Sequence, residues 1–138
     1  MKEHRSKSED SSLRWLKQAE ADFDAAKDSL KSKHFEWACF QAQQSAEKAL
    51  KAFLYSQGLR AIITHSIAEL LVKAQKYMSF DIPLKHAKAL DSYYIPTRYP
   101  NGLPGTSIPA RYYSKEDAEL CINYAESILK SVKKYTKS

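Results

Sequence analysis

The sequence predicts an all-α protein: an antiparallel up-and-down helical bundle of four long helices plus one short helix, with a long Pro-rich loop before the last helix. Three observations predict it. Apolar residues recur at alternating spacings of three and four along most of the chain, which lines them up on one stripe of each helix. No strand-length stretch alternates with period two. One segment, Tyr93 to Tyr113, gathers four of the five prolines, two of the three glycines and five of the nine tyrosines. Proline lacks a backbone N–H and fixes its own φ, so this segment is excluded from helix interior and makes a poor strand.

The first helix is predicted from about Ser12 to Lys31, with Leu16, Ala19, Phe23, Ala26 and Leu30 on its stripe and Ser12 as N-cap. The second runs from about Phe35 to Gln57 on Phe35, Cys39, Ala42, Ala46, Ala49 and Phe53, widened by Leu50 and Leu54. Its alanines allow close backbone approach, which marks it as the central helix, and Gly58 is suited to end it. Ser66 opens the third helix with Glu69 as capping-box partner, and Ile67, Leu70, Leu71, Ala74 and Tyr77 form the stripe. A short fourth helix follows, capped by Asp81, with Pro83 near its first turn, then Leu84, Ala87, Leu90 and Asp91 to Tyr94. The last helix opens at Ser114 with Asp117 three residues on, and carries Ala118, Cys121, Ile122, Ala125, Ile128, Leu129 and Val132.

This pattern is one domain over residues 12–135, flanked by expected flexible tails at 1–11 and 136–138. A chain of 138 residues with 43% hydrophobic residues is long enough and apolar enough for a real core. No apolar run reaches the roughly 18 residues of a bilayer span. Met1-Lys-Glu-His-Arg-Ser-Lys-Ser has no apolar stretch, so no secretory signal is expected and the cytoplasm is the expected compartment. Cys39 and Cys121 fall on apolar stripes and are expected as buried free thiols. No metal cluster, cofactor motif, Gly-rich phosphate loop or Ser-His-Asp order is visible. The net charge of +6 permits an anionic partner.

The chemistry concentrates in a few places. Arg98 and Arg111 sit among aromatic residues in the proline-rich segment, where a guanidinium offers a planar fork to phosphate and stacks on rings. Tyr99 and Tyr112 are the candidate stacking surface for a base. The competing reading makes Thr97-Arg98-Tyr99-Pro100 a structural corner, with Arg98 capping helix carbonyls and Tyr99 plugging the bundle end. His65, just before a helix start, is a candidate acid–base group or a residue that hydrogen-bonds the local turn or a neighbouring helix. Glu47 and Lys51 are read as an i,i+4 surface pair. Gln43, Gln44 and Lys48 are candidates to line a dimer groove, and Trp15 and Trp37, off the narrow stripes, to form a second contact surface.

The order and spacing of Trp15-Leu-Lys-Gln-Ala-Glu-Ala-Asp-Phe, Gln43-Gln-Ser-Ala-Glu-Lys-Ala-Leu-Lys, Thr64-His65 and Thr97-Arg-Tyr-Pro resemble the HEPN domain (higher eukaryotes and prokaryotes nucleotide-binding), including the C-terminal HEPN domain of sacsin. The resemblance implies a helical bundle paired as a homodimer. It further implies nucleotide binding, of ATP or GTP for example, and a separately encoded minimal nucleotidyltransferase as partner in a toxin–antitoxin-like module. Nucleotide-binding residues would be Arg98, Tyr99, Arg111, Tyr112, Lys48 and His65. Other members are metal-independent ribonucleases that use an Arg-x(4–6)-His motif late in the domain. No histidine follows Arg98 or Arg111 at that spacing. Arg60-Ala-Ile-Ile-Thr-His65 has the spacing in a different place, so a nuclease acting on RNA would use His65 with Arg60 or Arg98. A non-catalytic dimerisation scaffold is the third reading.

Overall fold

The computed structural model describes residues 7–136; of the expected tails, residues 1–6 and 137–138 lie outside it. The described residues are helical and contain no strand. Helix α1 spans Lys7–Lys31, α2 Phe35–Ser56, α3 Ile67–Gln75, α4 Leu84–Asp91, α5 Pro109–Tyr112 and α6 Lys115–Thr136. A 3-10 turn lies at Pro100–Gly102.

Helix α2 is the centre. It packs against α1, α3, α4, α5 and α6, and 14 of its 22 residues are buried. Its alanines explain the closeness. Ala38, Ala42, Ala46, Ala49 and Ala52 are fully buried, as are Ala19 and Ala26 of α1. Backbones that approach across such small side chains come within reach of short hydroxyls. Ser45 donates to the Ala19 carbonyl at 2.7 Å, and Ser12 to the Ala52 carbonyl at 2.7 Å. Ser12 is therefore no N-cap. The helix starts at Lys7, so residues 7–11, expected in a flexible tail, belong to its opening turns, and Ser12 ties it to α2 instead.

Gly58, at φ 92°, takes the left-handed conformation that ends α2, as its type predicts. Helix α3 is nine residues long, shorter than expected, and stops at Gln75. Tyr77, predicted on its stripe, lies beyond that end and is 45% exposed, while Ile67, Leu70, Leu71 and Ala74 are buried. Ser66 caps α3 by accepting from the Glu69 N–H at 3.2 Å. The reciprocal half of the predicted capping box is replaced: the Ser66 N–H donates to Thr64 Oγ1 at 3.1 Å. A second cap comes from α4, where the Asp91 carboxylate accepts from the N–H groups of Ile67 and Ala68 at 2.6 and 3.1 Å and from the Ser66 hydroxyl at 2.9 Å. A carboxylate there also meets the positive end of the helix dipole. Helix α4 has Pro83 as its N-cap residue and no side-chain cap, so the expected role of Asp81 is not taken up. Helix α6 opens on a complete reciprocal cap: the Ser114 N–H donates to Asp117 Oδ2 at 2.9 Å, and the Asp117 N–H to Ser114 Oγ at 3.1 Å.

The segment from Tyr93 to Tyr113 is less irregular than its composition suggests, since it holds the 3-10 turn and the short α5. Its first corner is built tightly. Thr97 is 1% exposed and donates to the Tyr93 carbonyl at 2.6 Å. A Cβ at Gly102 would fall 3.3 Å from the Pro96 Cα, so the chain doubles back closely there. The far end of the segment rests on tyrosines. The rings of Tyr93 and Tyr113 lie 5.7 Å apart against the core, and the Tyr93 hydroxyl donates to Asp117 Oδ1 at 3.1 Å.

Burial, helped by the surrounding thiols, Tyr112 and Asp117, pushes the Tyr113 hydroxyl up from 10.0 to about 12. The unfolded chain therefore loses this proton at lower pH than the fold does. Stability from Tyr113 is fully present below pH 10 and is lost as pH rises toward 12. Urea unfolding measured across that window is expected to show a falling midpoint, with a shallower fall in Tyr113→Phe.

Candidate functional site

One edge of α2, beside its core stripe, carries Trp37, Phe40, Gln44, Glu47 and Lys51 at spacings of three and four, which places them in a row. Two loops close over this row. The connection from Leu59 to Ser66 brings in His65, and the corner after α4 brings in Tyr94, Arg98 and Tyr99.

Arg98 is the cationic end of the row. Its guanidinium carbon lies 4.5 Å from the Phe40 ring, 4.7 Å from Tyr94 and 5.2 Å from Tyr99. Its Nε–H donates to the Tyr94 carbonyl at 2.9 Å. A guanidinium has five N–H donors. Among the described residues this hydrogen bond is the only one its side chain makes, so four donors remain for an acceptor from outside. The corner reading holds in part: Arg98 does cap a carbonyl, but Thr97 is the buried residue of the corner, and Tyr99 is 50% exposed.

Tyr94 passes the row on. Its ring stacks on Phe40 at 6.4 Å and on His65 at 5.3 Å. His65 Nδ1 lies 3.1 Å from Glu47 Oε2. The same carboxylate oxygen accepts from the Lys51 ammonium at 3.0 Å, and both the Glu47 and Lys51 side chains are 4% exposed. Glu47 and Lys51 are thus a buried ion pair and not the expected surface pair. Lys51 also sits 5.3 Å from the Trp15 ring centre, and Trp15 stacks on Tyr55 at 5.8 Å. Gln43, expected beside a dimer groove, is fully buried; its Oε1 accepts from Gln44 at 2.8 Å, and its Nε2 has no acceptor among the described residues.

The structure joins Arg98, Tyr99 and His65 in one cluster and leaves the other candidates apart. Lys48 pairs with Asp22 at 2.6 Å and lines a 360 Å³ pocket with Arg14, Trp15 and Gln18. Arg111 and Tyr112 are exposed on α5, where Tyr112 packs edge-on to Tyr113 at 5.1 Å. Arg60 lines a separate cleft of about 480 Å³ with residues 59–64, Glu69 and Lys73. Trp37 is 45% exposed and meets Phe40 edge-on at 6.2 Å. Phe40 and Tyr94, two of the rings that hold Arg98, are not among the sequence candidates. The three-and-four row of α2 next to the core stripe picks out Phe40 as a position, whereas Tyr94 lies after α4 and has no such signal.

These features define a class: a small helical-bundle module with a cationic, aromatic edge on its central helix. Residues 12–135 match the family model described as the HEPN domain. The chain belongs to the HEPN domain family. A Methanocaldococcus jannaschii protein named "Putative toxin MJ1304" is 30% identical over 131 residues, covering 89% of this chain and 86% of that one. Among solved structures, TT1696 from Thermus thermophilus shares 40% identity and a TM-score of 0.81 over 89% of this chain and 96% of its own. ST0689, described as an archaeal HEPN homologue, shares 38% identity and a TM-score of 0.73 over 91% and 98%. A HEPN domain protein of Thermotoga maritima shares 33% and 0.65 over 88% and 95%. No helix among the described residues is long and apolar enough to cross a membrane.

Removing one partner of a buried ion pair strands the other charge without water, which costs about 3–5 kcal/mol. Glu47→Ala is expected to lose about that much in urea unfolding. The double variant Glu47→Leu with Lys51→Met is expected to recover most of the loss, which separates the stranded charge from the pair's own contribution.

Proposed function

We propose that this chain is a toxin-type HEPN module that binds a nucleotide at the Arg98 edge and works as a homodimer with a separately encoded nucleotidyltransferase. Arg98 carries the reading. It is a cation already oriented by one hydrogen bond and three rings, with its outer donors uncommitted. Phosphate oxygens match that fork, and Tyr99, half exposed beside it, offers a face on which a base can stack. His65 stacks on the same Tyr94 ring. The toxin-type role is supported by family membership and by the Methanocaldococcus jannaschii relative named "Putative toxin MJ1304"; the nucleotidyltransferase partner is what the resemblance to stand-alone HEPN proteins implies. Titration calorimetry with ATP, GTP and their diphosphates is expected to show saturable binding, weakened about tenfold or more in Arg98→Ala, the size expected for losing a charge-assisted fork. Binding no better than millimolar in the wild type refutes the reading.

A second reading is favoured by the contact between Glu47 and His65. A carboxylate on Nδ1 fixes the imidazole and leaves Nε2 free to move a proton, and Arg98, which contacts the same Tyr94 ring, would meet phosphate. In this reading the protein is a metal-independent ribonuclease. It predicts RNA cleavage in EDTA that His65→Ala abolishes; cleavage that survives the substitution removes His65 from the mechanism.

A further inference from the structure

On the far side of the 59–66 connection, α3 and α4 leave a second surface that the nucleotide reading does not use. A groove of about 370 Å³ runs between the two helices, lined by Ala68, Val72 and Leu84 along its apolar part and by Glu69, Lys73, Lys76 and Lys88 at its rim. It shares Glu69 and Lys73 with the cleft that Arg60 and Ile63 line, so the two form one continuous track. Val72 is 50% exposed, Leu84 39% and Ile63 86%. Grouped apolar exposure of this kind marks a contact surface more often than scattered single residues do.

Charge decides what fits. Arg60, Lys73, Lys76 and Lys88 face a single carboxylate, Glu69. Among the described residues none of these four cations is in an ion pair, whereas Lys48, Lys51, Lys130 and Lys133 all are. Glu69, Val72 and Lys73 of α3 and its C-cap residue Lys76 recur at spacings of three and four on the groove side, and nine residues of helix span about 13 Å. A guest lying along it would match two to three helical turns, with an apolar stripe inward and carboxylates outward toward the lysines.

We propose that the α3–α4 groove docks an acidic amphipathic helix of a partner protein. Apolar residues of the guest at i, i+3, i+4 and i+7 sit on Val72 and Leu84, and its flanking carboxylates meet Lys73, Lys76, Lys88 and Arg60. The proposal is independent of Arg98 and of nucleotide.

The test uses the full chain and a short helix-stapled peptide with Leu at i, i+3, i+4 and i+7 and Glu on both flanks. Backbone amide shifts are expected to change at α3, α4 and residues 59–64, and the affinity to fall with added salt. Lys73→Glu with Lys76→Glu is expected to weaken binding at least about tenfold, and a peptide with Lys in place of Glu to bind that variant better than it binds the wild type. Arg98→Ala is expected to leave the affinity unchanged. Four results overturn the proposal. The first is no shift at millimolar peptide. The second is equal binding of a scrambled peptide of the same composition. The third is variant-sensitive binding to phosphatidylglycerol vesicles without peptide binding, which would assign the groove to a membrane. The fourth is a self-association that Val72→Glu abolishes, which would assign it to a second copy.

Discussion

Glu47 and Lys51 are both 4% exposed on the helix against which every other helix packs. Two opposite charges so placed have lost most of their hydration, and their attraction offsets that loss only if further partners satisfy them. Here the partners are His65 on the carboxylate and the Trp15 face beside the ammonium. The pair fixes how α2 is turned. A rotation by one residue, about 100°, would drive the two charges into the alanine-lined core. With that rotation fixed, Phe40, Gln44 and Trp37 must lie on the same edge, and the loops that cover it must bring groups that tolerate a buried carboxylate. His65 and Tyr94 are such groups. The edge is therefore polar because the fold requires it, before any ligand is considered.

Arg98 has a structural duty and still keeps hydrogen-bond donors unused. Its Nε–H closes the corner onto the Tyr94 carbonyl, while Phe40, Tyr94 and Tyr99 limit where the planar group can lie. Pro96 and Pro100 flank it with fixed φ, and Thr97 beside it is buried and hydrogen-bonded. An arginine on a free loop loses much rotamer freedom when it grips a phosphate. One held this way has lost that freedom on folding, so less opposes binding. The proline content that makes the segment unfit for a helix is what makes its corner a firm support.

The helix stripes are legible because periodic burial leaves a periodic pattern: the predicted core positions of α2 and α6 are buried with few exceptions. What sequence reasoning misses are contacts between residues far apart in the chain. Glu47 and Lys51 are visible as an i,i+4 pair, but whether water reaches them depends on segments arriving from positions 65 and 15. Asp91 caps a helix that begins 24 residues earlier, so nothing local to either end announces it. Tyr77 keeps the spacing of α3 and so reads as core, yet the helix stops at Gln75 and the spacing ceases to mean anything. Phe40 and Tyr94 escape notice for the converse reason. An aromatic residue near an apolar stripe reads as core filling, and only the folded corner shows that their faces hold a cation.

The 59–66 connection is held at both ends. Its C-terminal end is fastened twice, by His65 to Glu47 and by Ser66 to Asp91. Its N-terminal end leaves α2 through Gly58, whose Cβ-free left-handed turn sets the direction of departure. Between those points Ile63 stands 86% exposed, and the same stretch lines the α3 cleft. The connection thus presents one side, His65, to the Arg98 edge and the other, Arg60 to Thr64, to the basic track along α3. A loop pinned at both ends transmits displacement better than a free one. The group that holds His65 is the Glu47 carboxylate, so a ligand that drew His65 away from Glu47 would leave the buried ion pair with one fewer partner. That cost opposes large movement of His65, and it makes the Arg98 edge a preformed surface on a stiff frame.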